Sequence, residues 1–205
     1  MTKDQFIELA IEMANRQTTA ESGMHPEYAK KALVAGMGKY VTARIYNDLK
    51  EGGDKDVELS LCNRFFVTPI WDDTIKRHYA ELKAKVVKLP KDRGLQYVGP
   101  KVGQENMYTI MRGITQEMIT DDYVMQFTSS VFVRLDGPKR IQFKNLTAVC
   151  EVMVIMVADV DDLDGDDELM CPAEFEADVL NYMVEIIVGK KKLPDDVKPD
   201  NNEDK

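Results

Sequence analysis

The densest group of ligand-type side chains is an acidic run, Asp159-Val160-Asp161-Asp162-Leu163-Asp164-Gly165-Asp166-Asp167-Glu168. Carboxylates at alternate positions beside a glycine are the raw material of a calcium loop. An EF-hand needs acids at its first, third and fifth positions, glycine at the sixth and glutamate at the twelfth. With Gly165 sixth, Val160 falls first and Cys171 twelfth, so both end ligands are missing. The run is read instead as a solvated loop that leads into a helix N-terminus and offers charge to a basic partner surface. His25 and His78, the only histidines, belong to no HxxxH or HExxH pair of the kind that holds zinc. The three cysteines, Cys62, Cys150 and Cys171, form no CxxC pair and are odd in number, which excludes a simple disulfide framework and fits a reducing compartment. Gly99-Pro100-Lys101-Val102-Gly103 lacks the GK[ST] ending that gives a phosphate loop its lysine and metal-binding hydroxyl. No catalytic, cofactor-binding or metal-binding residue is assigned, and the chain is expected not to be an enzyme.

These side chains have to be placed by helices at the two ends of the chain and strands in its middle. Phe6, Leu9, Ala10 and Met13 recur at three- and four-residue steps and predict a helix over residues 3–16. Residues 17–24 are polar and read as a loop. Pro26 suits the first turn of a second helix, where its missing N–H costs nothing, and Glu27 suits the positive end of the helix dipole. Leu33, Met37, Val41, Ile45 and Leu49 continue that helix until Gly52-Gly53 stops it, with Gly36 and Gly38 as points of close approach. Asp72 to Ala84 carries Ile75, Tyr79 and Leu82 on one helical face and predicts a third helix.

The period then changes. Val86–Leu89 and Leu95–Val98 read as short strands, and Met107, Thr109 and Met111 alternate. Val131–Leu135 and Arg140–Lys144 alternate across a Gly137-Pro138 turn and predict a hairpin. Val149–Val157 is apolar except for Glu151 and reads as a central strand covered on both faces. The last helix spans 172–188: Pro172 opens it, Phe175, Val179, Tyr182 and Ile186 form its stripe, and Gly189 ends it. The expectation is one α+β domain over 1–192, helical to 84 and β-rich from 85 to 157, with a mixed or antiparallel sheet. Residues 193–205 are expected to be a disordered charged tail.

Composition bounds the partners. The 205 residues are 44% hydrophobic, enough for a core, and no apolar run is long enough to cross a bilayer. Net charge is −9, and ten acids without a base lie between Asp159 and Asp178; subtracting these ten leaves the rest of the chain at +1. Lys76, Arg77, Lys83, Lys85, Lys88, Lys91, Arg93 and Lys101 face only Glu81 and Asp92 in the preceding basic stretch. Tyr79 and Tyr97 lie within that stretch, where cations and aromatics could meet a nucleic acid, although the overall charge opposes it. Opposite patches on one chain suit head-to-tail association, and Lys83, Lys85, Lys88, Asp161, Asp162 and Asp164 are the candidate oligomer-interface residues.

Lys88-Leu89-Pro90 precedes Arg93-Gly94-Leu95-Gln96-Tyr97-Val98. A strand ends in Val157-Ala158-Asp159-Val160, and Asp166-Asp167-Glu168 leads to Cys171-Pro172 and the final helix. In this order of features, across most of residues 25–190, the chain resembles the ring or head–tail connector proteins of tailed bacteriophages, of the crAss-like type. The resemblance implies a non-enzymatic virion protein, made in the host bacterial cytoplasm. It also implies a cyclic, twelvefold homo-oligomer stacked on the portal against neighbouring connector or tail proteins. Such a ring bridges capsid vertex and tail; DNA passes nearby without specific binding, and no membrane is involved. Cys171 departs from the small apolar or aromatic residue expected before the proline. The alternative from the residues themselves is a cytosolic adaptor or regulatory protein-binding module.

Overall fold

The computed structural model describes residues 1–17, 26–51, 57–102, 107–112, 130–189 and 193. The fold is α+β, and the chain divides into two compact units: Met1–Asp48 with Leu163–Lys205, and Leu49–Asp162.

The first unit is helical. Helix α1 (Lys3–Gln17), α2 (Pro26–Met37), a π-helical turn (Gly38–Thr42), α3 (Ala43–Glu51, which runs past the boundary) and α4 (Ala173–Ile187) carry the stripes read from the sequence. Helix α4 packs on both α1 and α2. Phe6, Ala10, Ala14, Ala29, Ala32, Leu33, Val179, Met183 and Ile186 are buried there. Small residues on α1 and α2 let the backbones approach. A methyl placed on Gly36 would sit 3.1 Å from Val179 Cγ1, whereas one on Gly38 would meet nothing within 4 Å. The π turn closes where the Ala43 N–H donates to Gly38 O, and it presents Lys39 Nζ to the rings of Tyr40 and Tyr182 at 4.9 and 4.6 Å.

The acidic segment of this unit is not a free loop. The N–H groups of Lys3 and Asp4, in the first turn of α1, donate to Asp167 O (3.0 Å) and Gly165 O (2.8 Å). Buried Lys3 sends its ammonium to Leu163 O at 2.7 Å. Residues 163–168 thus satisfy donors that a helix start would otherwise leave open. The Asp4 carboxylate lies directly over Gly165, so a side chain at 165 would displace it.

The second unit holds two sheets. Strands β1 (Asn63–Val67), β8 (Val152–Met156) and β4 (Leu95–Pro100) form an antiparallel three-stranded sheet with β8 in the centre. Strands β2 (Ile70–Asp72), β3 (Arg77–Glu81), β7 (Arg140–Lys144), β6 (Phe132–Leu135) and β5 (Thr109–Ile110) form the other sheet in that order, antiparallel except for the parallel β5–β6 pair. Val98, Val133, Ile141, Phe143, Val152, Val154 and Met156 are its buried core. Gly137, in the left-handed region at φ 79°, turns β6 into β7.

The helix expected over 72–84 is instead the β2–β3 hairpin, so the helical part of the chain ends at Glu51 rather than at residue 84. The reason is local. Asp72 Oδ1 accepts from the N–H groups of Thr74 and Ile75, Lys76 takes φ 53°, and the chain reverses before a helical turn can propagate. Pairing of β3 with β7 then outweighs the helical spacing of Ile75, Tyr79 and Leu82. Strand β1 lies where no strand is expected from the sequence. The strand expected over Val86–Leu89 reduces to a single bridge, Val86 to Ala158. Expectations for the loop after Gln17, for His25, for Gly52-Gly53, for most of 101–130 and for the tail after Leu193 lie outside the described residues.

Candidate functional site

Of the six candidate interface residues, the structure brings two together within the second unit. Asp162, its side chain only 14% exposed, sits 3.5 Å from Lys85 Nζ and 3.2 Å from Lys139 Nζ. Its Oδ2 also accepts from the Lys85 backbone N–H at 2.8 Å. Asp159 completes the junction, its N–H donating to Lys85 O. Burial works against the Asp162 charge. The Lys85 N–H and the Lys139 and Lys85 ammonium groups outweigh it and hold the carboxyl below the usual carboxylate range. The acidic and basic stretches therefore meet inside one chain at this point. Lys83, Lys88, Asp161 and Asp164 are exposed. Asp164 belongs to the first unit, where its N–H donates to Asp167 Oδ2.

Lys139 was not singled out in the sequence because it lies in a turn far from both stretches. A second feature without a sequence signal is apolar. Phe66 (46% exposed), Val102 (86%) and Val149 (54%) lie at one end of the three-stranded sheet. The register places them there: Val67 and Pro100 both pair with Val152, and the Lys101 N–H donates to Glu151 O. Lys101 Nζ lies 4.8 Å from the Phe66 ring and 2.6 Å from Glu151 Oε2. Strand β1, which carries Phe66, pairs only with β8 among the described residues. Its outer edge is the kind of row of backbone groups onto which another chain can add.

Concavities among the described residues of the second unit include the following. One, of about 240 Å³, has an apolar floor with Lys88, Arg112 and Arg134 at its rim. Its lining includes Asp92, at positive φ, and Gly94, where any side chain would strike Val87 O. The other, of about 290 Å³, lies between β2, β3 and the end of β7 and is lined by Trp71, Lys76, Arg77, His78 and Lys144 among others. His78, expected on a helix, is on β3 and meets the Trp71 ring edge-on at 5.0 Å.

Cys62 and Cys171 are each pushed up to about 11 by burial, with Glu176 adding to the effect at Cys171. Neither is a thiolate nucleophile at neutral pH. Among the described residues no three histidine, cysteine or acidic side chains converge as a metal site, and no helix is long and apolar enough to cross a membrane. No protein-family model and no curated protein sequence matches the chain.

Proposed function

We propose that the chain is a virion structural protein without catalytic activity, a subunit of a twelvefold ring in the portal or head–tail connector of a tailed phage. The observation that supports a self-associating role is the exposed end of the three-stranded sheet, where Phe66 lies on the edge strand β1 and Val149 and Val102 flank the same end of β8 and β4. Scattered single apolar residues are ordinary on a surface, whereas three at one end of a sheet, one of them on an edge strand, fit a contact with another chain. A ring needs two different patches on each subunit. In this reading the apolar end is one patch, and the exposed charges Lys83, Lys88 and Asp161 of the second unit contribute to the other, with Asp164 exposed on the first unit. Asp162 holds its own chain together and is not available to a neighbour.

The reading is tested by negative-stain microscopy and light scattering of the purified protein, alone and mixed with the portal of a tailed phage that encodes it. Closed rings of fixed stoichiometry, alone or on the portal, are expected. Phe66→Ser with Val149→Ser should abolish them while leaving the circular dichroism spectrum unchanged. A monomer that neither closes into rings nor joins the portal overturns the reading.

A further inference from the structure

A sheet that does not close ends in strands with unpaired backbone groups, and proteins usually blunt such edges. Among the described residues the edge strands are β1 and β4 in one sheet and β2 and β5 in the other. Three of them are short or blocked. Strand β2 has three residues and β5 has two. Strand β4 is irregular between Leu95 and Tyr97, ends in Pro100, and already offers Val98 O to the Tyr108 N–H. Strand β1 has five residues in unbroken register with β8 and contains no proline.

The ladder on β8 fixes which groups of β1 look outward. In an antiparallel pair, alternate residues turn their N–H and C=O to the partner. The Lys101 N–H donates to Glu151 O and the Val157 N–H to Gly94 O, while Pro100, opposite Val152, has no N–H to give. The odd-numbered residues of β8 therefore bond to β4. Val152, Val154 and Met156 bond to β1, through Val67, Phe65 and Asn63. Arg64 and Phe66 are left with their backbone groups on the open edge. Cys62, in the same phase, already gives its N–H to Leu59 O and bounds that edge. The side chains of Arg64 and Phe66 are both exposed and share one face of the sheet.

We infer that the open edge of β1 pairs with the same edge of a second copy of this chain, antiparallel and centred on Phe65. In that register Arg64 of each copy stands opposite Phe66 of the other, and each such pair exchanges two backbone hydrogen bonds. Each guanidinium then lies beside an exposed ring, a cation–π contact made on both sides of the axis. A register centred on Arg64 sets like charges opposite each other, and one centred on Phe66 needs Thr68, beyond the end of the strand. The strand is thus complementary to itself, as a two-fold contact requires. Such a contact joins two chains and cannot close a ring. It does not rest on the ring reading, and where both hold, two rings meet back to back.

Hydrogen exchange, followed amide by amide, tests the edge in the unaltered protein. The Arg64 and Phe66 amides should exchange freely at high dilution and become protected as concentration rises. Protection already complete at high dilution means that the chain covers its own edge, and protection gained only on adding the portal means that a different protein takes it; either result overturns the inference. Disulfide capture reads the register. Mixing an Arg64→Cys chain with a Phe66→Cys chain sets the two thiols on Cα atoms about 5.5 Å apart, within disulfide reach. Peptide mapping should find the 64–66 bridge between copies, with only traces of 64–64 or 66–66 bridges. Arg64→Pro removes an N–H that faces away from β8, so the circular dichroism spectrum should be kept while the protection gained by the Phe66 amide falls at least about tenfold. No bridge, a predominance of like-residue bridges, or protection unmoved by Arg64→Pro overturns the inference. Rings that form without the 64–66 bridge overturn it and leave the ring reading standing; the bridge in chains that never close into rings does the reverse.

Discussion

At the scale of single residues, Asp162 ties distant segments of the second unit together. It satisfies a backbone donor and faces two lysines from different segments. Asp162→Ala should lower stability by about 2 kcal/mol, the cost of leaving a partly buried donor unsatisfied, as read by urea denaturation. Because the folded carboxyl titrates below its ordinary value of 3.8, its contribution is fully present above that value and is lost as pH falls through the lower folded one. Asp72, held down by the Thr74 N–H and then by Arg140, acts in the same direction. Thermal unfolding followed below about pH 4 should therefore show falling stability, and Asp162→Asn should flatten that limb. At the other end of the scale, Cys62 and Cys171 should react with iodoacetamide at neutral pH far more slowly in the folded protein than in urea, because burial keeps both as thiols. The charges of Lys85 and Asp162 were legible in the sequence. Their pairing was not, since 77 residues separate them and only the fold closes that distance.

At the scale of elements, the long periodic segments were legible and the short ones were not. Helices α1, α2 and α4, the β6–β7 hairpin and the central strand β8 each carry enough repeats of one period for burial to enforce it. The β2–β3 hairpin has too few residues for its pattern to exclude a helix, and its decisive signal is the Asx turn at Asp72, a three-residue effect. Strand β1 was missed because Arg64 and Phe66 both point outward, so its alternation mixes a charge with an aromatic. The two glycines near the end of α2 make a matched test. Gly36→Leu should destabilise by about 1–3 kcal/mol through collision with Val179, and Gly38→Ala should stabilise by up to about 1 kcal/mol, both by thermal denaturation. If both changes act with the same sign, close α2–α4 packing is not what selects glycine at position 36.

At the scale of the whole molecule, charge separation along the sequence does not translate into two bare opposite faces. Part of it is spent internally, at Lys85, Lys139 and Asp162, and part of the acidic run supplies carbonyls to the first turn of α1. Asp161→Lys with Asp164→Lys should weaken assembly severalfold by sedimentation velocity, and raising salt should produce the same trend in the unaltered protein. The β unit is inserted between the first three helices and the fourth, which has a consequence for biogenesis. Helices α1 and α2 leave the ribosome with their apolar faces uncovered, and the helix that covers them is made only after the chain from Met37 to Ala173 has been translated. At ordinary elongation rates that delay is on the order of ten seconds. The sheets form little sooner, because the central strand β8 ends only at Met156, and the nascent helices are the natural clients of a ribosome-bound chaperone.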